Sequence, residues 1–185
     1  MSSKNVKLSV VEMQRLTPDE FAAADKVPLV VVLDNVRSQH NVGSVFRTAD
    51  AFRLEGVWLC GICCTPPNQE IHKTALGAEL TVDWQYFKNT TDAVDLLHKQ
   101  GYTVFAIEQA HNSVFLDQLQ LSNFPSCGNR YAIVLGHEVF GVAQEVIDCC
   151  DACIEIPQYG TKHSMNVSVT AGIVMYEMCK KITKQ

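Results

Sequence analysis

Residues 27–52 read VPLVVVLDNVRSQHNVGSVFRTADAF, and this stretch decides the fold. Its first part, Val27–Leu33, is an apolar run dominated by Val and Leu, the composition of a strand buried on both faces. The run stops at the polar pair Asp34-Asn35, after which Val42, Val45, Phe46, Ala49 and Phe52 recur at helical spacing. Asn41 stands just ahead of that stripe as a candidate N-cap. A buried strand that passes through a polar loop into an amphipathic helix is the first half of a parallel β-α-β unit.

Working outward, the same pattern repeats. Val57–Ile62, Tyr102–Ile107, Tyr131–Leu135 and Ala152–Ile156 are further short apolar runs suited to buried strands. Between them, Thr90–Gln100 carries Ala93, Leu96 and Leu97 on one face and stops at Gly101, and Val142–Cys150 reads as a shorter helix. Alternating strands and helices predict the α/β class, with a mostly parallel sheet and helices on both faces. No repeat or low-complexity tract divides the 185 residues, so one domain is expected. A helix spanning about 166–181 is apolar on most sides, with Val167, Val169, Ile173, Val174 and Tyr176 spread around it. Such a helix is either central to the core or part of a subunit interface.

The net charge of −5 argues against a uniformly basic, nucleic-acid-coating surface. Its distribution is uneven: residues 76–157 sum to −8, whereas 35–75 sum to +1 and 158–185 to +3. The two mildly basic segments permit a local RNA-facing patch, and they fit simple solvation equally well. Eight cysteines in a chain long enough to bury a core, after a start without an apolar signal segment, predict reduced thiols and a cytoplasmic protein. The longest apolar run falls far short of the ~20 residues of a membrane span, so no membrane partner is expected.

Polar clusters at the strand ends are where open α/β sheets place ligands. The first is 34–43, running on to Arg47, which projects away from the apolar stripe of its helix. The second, LGHEVFGV at 135–142, has the Gly spacing of a phosphate loop without the Lys-Ser/Thr that completes one. His137-Glu138 would begin a zinc-protease helix, but Gly141 occupies the place of the second His. Neither the dinucleotide fingerprint G-x-G-x-x-G nor the nucleophile elbow G-x-S-x-G occurs. The third cluster, 156–166, is a Gly-bearing loop before the apolar helix, in which Ser164 and Asn166 also suit a capping role. Cys60-x-x-Cys63 and Cys150-x-x-Cys153 have zinc-ligand spacing, but they lie on or beside apolar strands where cysteine serves as a small core residue, so no metal is expected.

Together, DNVRSQHNVGSVFRTADAF, LGHEVFGV and IPQYGTKHSMNVSVTAGI resemble, in order and spacing, the three motifs of the SpoU or TrmH-type RNA 2'-O-ribose methyltransferases of the SPOUT superfamily. The resemblance covers about residues 28–182. It implies a sheet whose C-terminal segment threads into a deep trefoil knot, a homodimer whose interface includes the last helix, S-adenosylmethionine as cofactor and transfer or ribosomal RNA as substrate. It makes residues 28–185 the methyltransferase domain. Residues 1–27 then form a short extension with one helix starting at Thr17-Pro18. Carried over by position, Asn41, Arg47, Glu138, Ser164 and Asn166 match the family's functional residues. Gly136, Ile156, Met165 and Ser164 fall where the family holds the cofactor, with Ile107 lining the same pocket. The family usually has a small residue after the Glu, and Val139 and Phe140 depart from that. A non-catalytic RNA-binding or assembly module of the same fold would be expected to lose motif polar residues, and none is lost here.

Arginine is normally charged and a poor base. The resemblance implies that Arg47 meets the substrate phosphate and the 2'-hydroxyl, either taking the proton in an unusual environment or stabilising the developing alkoxide; the electrostatic role is favoured here, with the other four residues holding Arg47 and the ribose in place.

Overall fold

The computed structural model describes residues 5–9, 11–124 and 129–183. Seven strands form one sheet: β1 (Val27–Asp34), β2 (Leu54–Cys60), β3 (Trp84–Phe87), β4 (Thr103–Ile107), β5 (Val114–Phe115), β6 (Tyr131–Leu135) and β7 (Ala152–Glu155). Their order across the sheet is β3-β2-β1-β6-β4-β7-β5, and every pairing is parallel. The helices are α1 (Pro18–Ala23), α2 (Gln39–Ala51), α3 (Gln69–Ala75), α4 (Thr90–Lys99), α5 (Gln144–Ile147) and α6 (Val167–Thr183).

The expected α/β class with a mostly parallel, two-face-covered sheet holds. Alternate residues of β1 feed separate apolar clusters. Leu29, Val31 and Leu33 pack with α2 and α6, while Val30 and Val32 pack with α4. This is why the strand reads as a continuous apolar run instead of alternating.

Several elements differ from the sequence expectation. The second strand starts at Leu54 and ends at Cys60, because Gly61 turns the chain with φ +62° and leaves Ile62 exposed. Asn41 is not the N-cap of α2. That place belongs to Ser38, whose hydroxyl accepts from the Asn41 N–H at 3.3 Å. The helix expected over 142–150 shrinks to the four residues of α5, since Ala143 is extended and its N–H is held by a carboxylate from another element. The edge strands β3 and β5 and the short α3 carry too little apolar pattern to be seen in sequence.

α6 buries one apolar face and exposes another. Val167, Ala171, Val174, Met175, Met178 and Ile182 are buried within the protomer, while Val169, Ile173 and Tyr176 remain 54%, 40% and 56% exposed. No helix among the described residues is long and apolar enough to cross a membrane.

Candidate active site

The segment after β6 is shaped by two glycines. His137 and Gly141 exchange backbone hydrogen bonds at 3.0 and 2.8 Å, closing a tight hairpin that carries Glu138, Val139 and Phe140 at its tip. A Cβ on Gly136 would lie 2.0 Å from the carbonyl carbon of Gly141, so only glycine lets the hairpin close on itself. Gly141 has φ +69°, and a Cβ there would lie 2.1 Å from Oε2 of Glu108. Where the hairpin leaves, two carboxylates fix it. The Val142 N–H donates to Glu108 at 3.1 Å, and the Ala143 N–H donates to Asp34 at 3.0 Å.

Glu138, at the hairpin tip, reaches back to the start of α2. Its carboxylate accepts from the backbone N–H groups of Arg37 at 3.0 Å and Ser38 at 2.9 Å, and from the Asn41 amide at 3.0 Å. Burial alone would raise this carboxyl, but the Arg37, Ser38 and Asn41 donors outweigh it and hold it below the ordinary carboxylate range. Glu138 is therefore a fixed anion, unsuited to giving up a proton near neutrality.

Asn41 is itself bridged. Its Oδ1 accepts from Nδ2 of Asn166 at 3.2 Å. Asn166 also caps α6, its Oδ1 accepting from the N–H groups of Ser168 at 2.9 Å and Val169 at 3.3 Å. A single chain of hydrogen bonds, Asn166 to Asn41 to Glu138, thus joins three segments far apart in sequence.

Beside this chain a cleft of about 850 Å³ opens at the carboxyl ends of β4, β6 and β7. Ile107, Gly136, Ile156, Ser164 and Met165 all line it, as does Glu138. Of the other sequence-selected residues, Asn41 and Asn166 stand behind the Glu138 wall. Arg47 is exposed on α2 and, among the described residues, neither lines the cleft nor joins the hydrogen-bond chain. Val139 and Phe140, the two bulky departures, line the cleft at its mouth and are 73% and 83% exposed.

The cleft's charge is one-sided. Glu108, Glu138 and Glu155 line it, and no Lys or Arg does so among the described residues. With Ile107, Leu135, Ile154 and Ile156 as apolar walls, it suits a partly apolar, positively charged ligand and opposes a polyphosphate.

Three participants were given no role by the sequence, although Asp34 lies in the first polar cluster. Asp34, 1% exposed, accepts from the Thr90 hydroxyl at 2.5 Å and the Asn35 amide at 2.8 Å as well as from Ala143, and so ties α4 and the hairpin to β1. Its signal was a carboxylate ending an apolar strand. Glu108 and Gln109 sit just past β4. Gln109 Nε2 donates to the His163 carbonyl at 2.7 Å, anchoring the third polar loop. Only their place at a strand end marks them.

The paired cysteines do not converge on a metal site. Cys63 Sγ accepts from the Val36 N–H at 3.1 Å, and no group of three or more His, Cys, Asp or Glu side chains among the described residues is placed to hold an ion.

The sequence profile of the SpoU rRNA methylase family matches residues 28–176. A Staphylococcus saprophyticus protein assigned to the TrmH family of tRNA/rRNA methyltransferases is 32% identical over 159 residues, covering 86% of this chain. The chain spans 61% of that relative's length. Among solved structures, an AdoMet-bound rRNA methyltransferase from Sinorhizobium meliloti superimposes with a TM-score of 0.76 at 26% identity, covering 90% of this chain and 61% of its own. The TrmH/SpoU tRNA modifying enzyme of A. aeolicus gives 0.75 at 23% identity over 89% of this chain and 80% of its own, a likeness of fold.

Proposed function

The chain belongs to the SpoU rRNA methylase family, and from that premise we propose that it transfers a methyl group from S-adenosylmethionine to a ribose 2'-hydroxyl of transfer or ribosomal RNA. The observation that carries this reading is the Asn166–Asn41–Glu138 chain, which joins polar residues of all three motifs at and behind one wall of a cleft.

The cofactor fits the residues present. A cleft with three carboxylates, apolar walls and no Lys or Arg among the described residues suits an adenosine joined to a cationic tail. Gly136, Ile156, Met165, Ser164 and Ile107 would hold it, and when bound it supplies an electrophilic methyl group on a sulfonium.

The chain's own residues then have distinct tasks. Arg47, exposed within the first motif, meets the RNA phosphate and the ribose oxygen, and its permanent charge stabilises the alkoxide as the hydroxyl proton passes to solvent. Glu138 holds Asn41 and the Arg37–Ser38 backbone in register, and Asn41 holds Asn166. Ser164, on the cleft rim, orients the ribose.

The reading extends to the assembly. A homodimer through Val169, Ile173 and Tyr176 would cover the exposed apolar stripe of α6. The trefoil knot is part of the same family reading, and the sheet order, in which β7 lies beyond β4 from β6, is compatible with it. Residues 1–27 act as an extension to a methyltransferase domain of 28–185, and thiols that are unpaired among the described residues suit a cytoplasmic protein.

The test is methyl transfer from labelled cofactor to total RNA lacking the modification, followed by nucleoside mapping. A 2'-O-methylated nucleoside is expected. Cofactor binding without transfer to any RNA would favour the non-catalytic module.

A further inference from the structure

We propose that Glu108 makes the cleft prefer a positively charged cofactor over the neutral product left after methyl transfer, an inference that rests on reading the cleft as the S-adenosylmethionine site. Glu108 follows β4 directly and lines the cleft. Its carboxylate is fixed before any ligand arrives, with Oε2 accepting from the Val142 N–H at 3.1 Å and Oε1 from the Gln109 N–H at 2.8 Å. Oε2 fills the space that a side chain at Gly141 would need, since a Cβ there would lie 2.1 Å away. That glycine therefore accommodates the carboxylate as well as the turn.

The other two acidic groups of the cleft have partners outside it, Glu138 more than Glu155, and Glu155 adds to the negative charge that Glu108 presents. Glu138 accepts three N–H donors from the start of α2, and Glu155 accepts the Ser113 hydroxyl at 2.7 Å. Each oxygen of Glu108 has one protein donor, and a carboxylate offers about four acceptor positions, so capacity remains. No Lys or Arg among the described residues lines the cleft to neutralise it. When a methyl group leaves the sulfonium, the thioether product carries one positive charge fewer. A fixed anion in the cleft therefore attracts the cofactor more than the product, favouring turnover over product retention. The same residue also fastens the hairpin through Val142, and the test separates the two roles.

Calorimetry on the full chain with S-adenosylmethionine, S-adenosylhomocysteine and the amine analogue sinefungin reads the preference directly. Glu108→Gln keeps the size and an acceptor for Val142 while removing the charge. It should weaken the two cationic ligands by about tenfold, one well-placed charge contact, and the neutral product by less than about twofold. KM for the cofactor should rise accordingly, with kcat at saturation largely kept. Equal weakening of all three ligands would mean that the substitution acts only through the hairpin, and no weakening would mean that the ligands do not sense the charge; both overturn the proposal. If the variant fails to fold, the unaltered protein decides. Raising salt should weaken cofactor binding more than product binding, and equal salt dependence refutes the counter-charge. An unaltered protein that binds none of the three ligands at millimolar concentration refutes the cofactor reading itself, a result distinct from binding without preference.

Discussion

Replacing Asn41 by Asp tests the hydrogen-bond chain at its centre, because it changes one atom's chemistry and leaves the shape nearly intact. The new carboxylate can still accept from Asn166, but the N–H that donated to Glu138 at 3.0 Å is replaced by an oxygen of the same charge. Two unit charges about 3 Å apart repel by roughly 5 kcal/mol at an effective dielectric constant near 20. Both side chains are partly exposed, so rotation and solvent screening should leave about 1–3 kcal/mol of destabilisation at neutral pH. Glu138 keeps its Arg37 and Ser38 donors, so the introduced Asp takes most of the strain and its folded pKa rises above its unfolded value because of the facing Glu138 carboxylate. A folded pKa raised in this way means that the native state binds the extra proton. The penalty is then full above the folded pKa and fades as pH falls through it. Asn41→Ala is the control, because it loses the same bonds and introduces no charge. Urea unfolding of unaltered protein, Asn41→Asp and Asn41→Ala at pH 7 and pH 5 should show the Asp deficit shrinking and the Ala deficit constant. A pH-independent Asp deficit equal to that of Ala would refute the idea that Asn41 and Glu138 face each other in the folded protein.

Arg47→Ala should leave fold and cofactor binding unchanged and lower methyl transfer by ~10² or more, with Arg47→Lys also strongly impaired for want of the planar fork; normal turnover in Arg47→Ala removes this residue from the mechanism. Ile173→Lys, on the exposed stripe of α6, should give a folded monomer in sedimentation, whereas Val174→Lys, fully buried in the protomer, should unfold the chain by several kcal/mol. Cys60 and Cys63, pushed up by burial to about 12 and about 11, should resist alkylation at pH 8 in the native protein and react only on unfolding, as mass spectrometry of the labelled chain would show. Gly141→Ala forces a left-handed alanine against Glu108 and should weaken cofactor binding more than it lowers thermal stability.

The strands buried on both faces were legible because their sequence carries no competing pattern: Val27–Leu33 and Tyr131–Leu135 admit few other placements. The edges were not. β3, WQYF, has Gln85 and Tyr86 exposed, and an edge strand of four residues offers too few positions for a period to register. α5 was overestimated for the opposite reason. Val142 and Val146 are buried and look helical, but the backbone N–H groups at 142 and 143 are held by Glu108 and Asp34, which come from strands 34 and 109 positions away in the chain. A long-range hydrogen bond overrode a local preference, and local patterning has no access to it.

The candidate site divides along the same line, and Asn41 and Asn166 show why. Each suited helix capping, and as local readings the two were equally good. In the folded protein Ser38 has taken the cap of α2, which frees the Asn41 amide to bind Glu138 and Asn166. Asn166 performs both tasks, its oxygen capping α6 and its nitrogen reaching Asn41. An asparagine side chain has a donor end and an acceptor end, so one residue can satisfy its own helix and a distant partner together. This explains why a capping explanation did not exclude a functional one, and why Asp, which has no donor, is the substitution to make at position 41. Glu108 lacked even that ambiguity in sequence, being one carboxylate after an apolar strand. Its significance arises only when Gly141 brings the hairpin against it.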